Sequence, residues 1–323
     1  MNKPARYFPI DKGIFEIAPG LRPFGTDFGN GDLDKKLFQI DSEFSKYRDN
    51  KINCANEDLS KYFNTHNLNP ELRKSICFFI SKTLAADYPQ HFKFSFYESG
   101  AWDLECFLTK EFLSFDSTGI LNSAKSRTPA IDGLDALATQ IQEDFALLQQ
   151  TDLGENFLSA LHVCSPAHWS PGSKIGKDFT SVHAPIPGIE KINSAAKHFT
   201  EAMVKKGPFV RFVWGFATDN RLNHHPEPPL GISLEAWHGR KFVDPSQSDF
   251  FLRVERQVTW GFADLNAALF TIRISFWEGQ EIKKDPIKSE LLLSALKGMR
   301  PEILKYKGLA GSIDPLVSWL SGP

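Results

Sequence analysis

"FFLRVERQVTWGFADLNAALFTIRISFWEG", residues 250–279, decides the fold class. Two runs in it, 250–262 and 267–279, are rich in β-branched and aromatic residues and read as strands. The connection between them is too short for a crossover, so they pair as antiparallel neighbours. Side chains alternate between faces along a strand. In the first run Phe251, Arg253, Glu255, Gln257 and Thr259 share one face, and Leu252, Val254, Arg256, Val258 and Trp260 the other. In the second, Phe270, Ile272, Ile274 and Phe276 form an apolar face opposite Thr271, Arg273 and Ser275.

Working outward, further strands are expected at 91–99, 156–165, 208–218 and 231–239, joined mostly by turn-rich segments. One helix, 189–206, interrupts them, and the tail is helical with a break at Pro301. The region before residue 90 reads as mostly helical. Leu37, Ile40, Phe44 and Tyr47 recur at helical spacing, and Pro70 and Pro89 bracket a second helix. Residues 130–149 also read as helix. The expected class is α+β: a mainly helical part over 1–150, then an antiparallel sheet with an inserted helix and closing C-terminal helices over 151–323. The two parts may equally form one compact domain.

Composition narrows the function. Lys plus Arg is 37 and Asp plus Glu is 39, a balance that does not favour nucleic acid. No apolar run is long enough to span a bilayer, and the N-terminal residues show no signal-peptide pattern. Cys54, Cys77, Cys106 and Cys164 form no CxxC pair, which argues against thiolate metal or cluster sites. A cytoplasmic protein is expected. No GxGxxG follows a strand, so no dinucleotide site is expected on this chain.

The strands carry charges amid bulky apolar residues: Arg211, Arg253, Glu255 and Arg256. These are either solvated Arg–Glu pairs or anchors for a ligand, and arginine suits carboxylates because its fork of donors matches two oxygens. Of nine histidines, His224 and His225 fall in a proline-rich loop and are expected to be exposed. His162 reads as a satisfied core residue. His183 is different: Pro185 and Pro187 follow it, and each proline restricts itself and the residue before it. An imidazole held this way is either packed or poised as a ligand, and as a ligand it needs an acceptor on its other ring nitrogen.

The order W-x4-K-x-G-x6-H-x-P-x-P is met by Trp169, Lys174, Gly176, His183, Pro185 and Pro187. Arg211 and Trp214 follow as R-x-x-W, then Arg253, Glu255, Arg256 and Gln257 as R-x-E-R-Q, then Phe270 to Arg273; Gly20 to Phe24 form an earlier GLRPF. Together these resemble the haem-dependent oxidative N-demethylase family, alpha-subunit type. The resemblance implies a PAS-like antiparallel sheet binding haem b, with His183 as the iron ligand. It implies Lys174, Arg211, Arg253 and Arg256 as holders of the propionates. Trp214, Phe212, Phe270 and Trp260 are then expected to wall the pocket. Glu255 is expected to meet a cationic amine or to pair with a neighbouring arginine. The implied reaction takes a small alkylamine such as dimethylamine, with oxygen, to the demethylated amine and formaldehyde. Flavin, iron–sulfur and NADPH sites are then expected on partner reductase subunits. The family strand commonly reads RxNW; Val213 stands at the asparagine, which leaves the identity of the amine open. The rival readings are a haem-binding PAS-type sensor or carrier without turnover, and a haem-free protein in which His183 is simply packed.

Overall fold

The computed structural model describes residues 1–125, 129–239 and 250–322. In chain order, a short edge strand β1 (Arg22–Pro23) precedes helix α1 (Phe44–Asp58), strand β2 (Phe63–Thr65) and helix α2 (Pro70–Asp87). Asn69 caps α2 by accepting from Glu71 N and Leu72 N, with Pro70 at the first helical position. Four strands then form an antiparallel meander: β3 (Phe92–Phe96), β4 (Trp102–Cys106), β5 (Glu111–Phe115) and β6 (Leu121–Lys125). Helix α3 (Gly133–Ala138) leads to the hairpin of β7 (Asp144–Gln150) and β8 (Asn156–His162). Short helices α4 (Phe179–His183), α5 (Glu190–Ser194) and α6 (Ala196–Lys205) precede strand β9 (Phe209–Ala217). Helix α7 (Leu234–Trp237) and strands β10 (Phe251–Phe262) and β11 (Ala267–Glu278) follow. The chain closes with α8 (Gly279–Lys284), α9 (Pro286–Lys297), α10 (Pro301–Tyr306) and α11 (Ile313–Ser321).

The α+β class holds, and 250–279 is the antiparallel hairpin β10–β11 that its alternation predicts. Several local expectations do not hold. Residues 130–149 are helical only in α3; Asp144–Gln150 is strand β7, buried on both faces over its first five residues, so no alternation marks it. The segment 231–239 is not a strand: Ser233 accepts from Ala236 N and starts the single turn of α7. The helix expected over 189–206 is two, split at Ala195. The N-terminal part also contains β4, β5 and β6, where only one strand was expected.

The large sheet has the order β1-β9-β10-β11-β7-β8-β2, with every pairing antiparallel. It therefore takes strands from both sides of residue 150. One of its faces packs against the N-terminal segment and C-terminal helices through Trp214, Phe216, Leu252 and Val254. The same layer, farther along the sheet, meets α2, α3 and the meander through Val210, Val258 and Leu269.

Two arginines on that covered face explain why residues 33–41 are not the continuous helix their spacing suggests. Arg256 and Arg273 are direct cross-strand partners, both nearly inaccessible. Arg256 donates to the carbonyls of Lys36, at 2.9 Å, and Asp34. Arg273 pairs with Asp41 at 2.7 Å and stacks on Tyr47. Backbone carbonyls claimed by a buried guanidinium are lost to a helical ladder, so α1 begins only at Phe44.

His162 is the core histidine its setting predicts. Its ring lies between Phe63 and Phe145, and Nε2 donates to Asp135 at 3.0 Å. Burial opposes the charged ring, but Cys164 and Asp135 outweigh it and raise its pKa to about 9. A raised pKa makes the pair stabilising below the ordinary value of 6.5, with that contribution lost as pH rises through about 9. In urea unfolding, Asp135→Asn is expected to cost roughly 3 kcal/mol at neutral pH. The gap between variant and wild type should narrow as the pH rises through about 9.

Helix α6 is seated on β10 at Gly261, where a Cβ would lie 2.2 Å from the Val204 carbonyl oxygen. Backbone cannot yield there as a flexible side chain would. Gly261→Ala is expected to destabilise by roughly 1–3 kcal/mol, read from the midpoint of a denaturant titration.

Candidate functional site

The face of the large sheet opposite the Arg256 row carries Arg211, Val213 and Gly215 from β9. Register sets them beside Gln257, Glu255 and Arg253 of β10, and those beside Ile272, Ile274 and Phe276 of β11. This is a polar stripe with apolar neighbours on both sides. A Cβ added at Gly215 meets nothing within 4 Å, so the middle of this face opens onto free space.

His183 stands beside the stripe, at the end of α4. Asp178 caps that helix by accepting from Ser181 N at 2.7 Å, and Asn156 of β8 accepts from Phe179 N at 2.8 Å. Pro185 and Pro187 follow immediately and end the helix. The ring packs on Phe179 with centroids 4.3 Å apart. Nδ1 lies 2.7 Å from the Phe179 carbonyl oxygen. A carbonyl only accepts, so Nδ1 carries the hydrogen and Nε2 keeps its lone pair. Burial lowers the pKa of His183; the Phe179 carbonyl pulls the other way, and the positive charges of Arg211 and Lys174 lower it further. At neutral pH the imidazole is uncharged and can donate that lone pair.

Lys174 sits beside it, with Nζ donating to the Val182 carbonyl at 2.6 Å. The Gly176 of the same motif has φ +73°, and a Cβ there would press on the ring of His66. Arg211 is half-buried, and its Nε is buried without a hydrogen-bond partner among the described residues. Arg253 is already committed: Nη1 donates to Leu222 O at 3.1 Å and Nη2 to Ser165 O at 2.5 Å, tying two loops to the sheet. Its Nε lies 3.8 Å from Glu255 Oε1, and Gln257 Nε2 donates to Glu255 Oε2 at 2.9 Å.

Of the residues singled out from the sequence, His183, Lys174, Arg211, Arg253 and Glu255 thus come together around one face. Trp214 and Arg256 lie on the other. Trp214 packs edge-on to Phe15, and Arg256 holds the 34–36 backbone. Phe212 and Trp260 share that far face, against Tyr7 and Phe28 and against Phe24 and Phe79. Only Phe270 among the expected wall aromatics is on the His183 side. Val213, at the position where asparagine was expected, is the cross-strand partner of Glu255.

His224 and His225 are buried, not exposed. His224 is zipped to the 166–168 backbone and donates from Nε2 to Asp219 at 2.9 Å. Gln257 was visible in the sequence only as part of a motif. Its contact with Glu255 follows from their i, i+2 spacing on one strand, which was a readable signal.

A single neutral imidazole suits a metal whose remaining ligands come from elsewhere, such as a macrocycle. Among the described residues no group of three or more His, Cys, Asp or Glu can hold a metal ion by itself. Arg211 and Lys174 offer uncommitted donors for carboxylates beside that imidazole. No helix among the described residues is long and apolar enough to cross a membrane. Residues 31–317 match the family described as haem-dependent oxidative N-demethylase, alpha subunit-like.

Proposed function

The chain belongs to the haem-dependent oxidative N-demethylase alpha subunit-like family, and we propose that it binds haem b through Nε2 of His183 and oxidatively demethylates a small alkylamine, releasing formaldehyde. One observation carries this reading: His183 is neutral, has its tautomer set by the Phe179 carbonyl, and stands beside two cations with donors to spare. The orphaned Arg211 Nε and the space above Gly215 fit a flat dianionic group.

Haem, when bound, supplies the oxygen activation and the oxidation of the N-methyl group. The chain's own part is ligation, orientation and dryness. Arg211 and Lys174 hold the propionates, while Arg253 keeps the loops at Ser165 and Leu222 closed on the sheet. Glu255 meets the cationic amine, with Val213 and Ile274 as apolar neighbours. Valine offers no hydrogen bond where asparagine was expected, so an amine with a larger alkyl group than dimethylamine is accommodated. The sheet is PAS-like in this reading. Electrons come from separate reductase subunits carrying flavin, iron–sulfur and NADPH sites. All four cysteines are free and buried, in keeping with a cytoplasmic setting.

Titration of the purified chain with haem should give a Soret band with one equivalent bound. His183→Ala should abolish that spectrum or weaken binding by more than tenfold. Arg211→Leu should weaken it roughly tenfold, the worth of one charge-assisted contact, with the band position unchanged. Binding should persist below pH 6.5, because His183 protonates only below its ordinary range. An unchanged spectrum in His183→Ala sinks the ligand assignment. Haem binding without formaldehyde release, given an amine, NADPH and a reductase, leaves a carrier or sensor instead of an enzyme.

A further inference from the structure

We propose that Gln257 is a positioning residue that keeps Glu255 available to a cation by insulating it from Arg211; this deepens the reading of Glu255 given above and rests on it. The side chain of Glu255 is only 14 % exposed. Its cross-strand neighbours, Val213 and Ile274, are apolar and offer it no hydrogen bond. Its orientation is therefore set along its own strand. Arg253 stands on one side, immobilised by the Leu222 and Ser165 carbonyls, with Nε 3.8 Å from Oε1. Gln257 stands on the other and donates to Oε2 at 2.9 Å. A carboxylate only accepts, so the amide nitrogen must face it.

Gln257 is also the direct cross-strand partner of Arg211. The neutral amide thus lies between a carboxylate and a guanidinium that would otherwise pair. Among the described residues no ion pair joins Arg211 to Glu255, although the two feel each other's charge. Closing that gap would cancel both groups. Arg211 would lose its donors for an anionic ligand, and Glu255 its charge for a cationic one. With Gln257 in place, one face presents two opposite charges to two different ligand groups.

The test uses dimethylammonium chloride as the probe, with its Kd measured by calorimetry on the haem-free chain and by spectral titration of the haem-loaded chain. Gln257→Met keeps the length and removes the amide. It should raise the Kd about tenfold, the worth of one hydrogen bond to a charged group, and raise KM more than it lowers kcat. In a Glu255→Gln background the same change should have little further effect, because Gln257 acts through Glu255. Gln257→Ala serves should the methionine variant fold poorly, with thermal midpoints as the control. An unchanged Kd in either variant, or an equal loss in the Glu255→Gln background, overturns the proposal while leaving amine binding intact. A wild-type chain that binds no amine in either form overturns the role of Glu255 and this inference together.

Discussion

The antiparallel register of β9, β10 and β11 is the constraint on which the rest of the structure depends. It places Arg211 beside Gln257, Val213 beside Glu255, and Arg256 beside Arg273. A slip of one residue would turn every one of these side chains to the other face. The consequences would be severe in both directions. The two buried arginines that hold residues 34–41 would be brought to the open face, and the stripe that serves His183 would be driven into the apolar core. The hydrophobic pattern makes that slip costly, since Leu252, Val254 and Val258 are completely buried on one side only. Core packing and site geometry are therefore fixed by the same pairing.

Two buried histidines show how environment divides the labour of one residue type. Both give up solvent. His162 faces a carboxylate and gains a proton's worth of stabilisation; His183 faces a carbonyl and two cations and loses its tendency to protonate. The first is a structural pin between α3 and β8. The second keeps a lone pair. Neither outcome follows from burial alone, which disfavours the charged ring in both; the partner on the other ring nitrogen decides the state.

Much of this was legible in the sequence, for reasons that also explain what was not. The long strands alternate strongly and their connections are short, so β9, β10 and β11 could be read along with their face parity. The rigid Pro185–Pro187 frame singled out His183 before any geometry was known. By contrast, β7 is apolar on both faces, which erases alternation, and it follows residues that favour helix. The alternation of β4 and β5 is present but confined to five residues each. Parity within a strand says which residues share a face, but not which parity of one strand meets which of the next. That is why Trp214 and Arg256 were grouped with Arg253 and Glu255: the residues alternate correctly and the grouping across strands fails. His224 and His225 were misjudged for a similar reason. A loop rich in proline looks exposed until its contacts are known, and here the loop is pinned by Arg253 and by the 166–168 backbone.

The charge balance around the open face is what ties these parts into one site. Arg211, Arg253 and Lys174 stand near a single carboxylate, Glu255, while His183 is neutral. Arg253 has its guanidinium ends satisfied by carbonyls, and its Nε faces Glu255. That leaves Arg211 and Lys174 as excess positive charge, one of them with a buried N–H that finds no acceptor. Such an arrangement costs stability, since a buried donor without a partner forfeits its hydration. A protein keeps a group in that condition where a ligand supplies what is missing. The missing element is negative charge close to a nitrogen lone pair. A ligand that brought a metal without carboxylates would leave the arginine unsatisfied, and one that brought carboxylates without a metal would leave the imidazole idle. The two requirements converge on a single molecule that carries both.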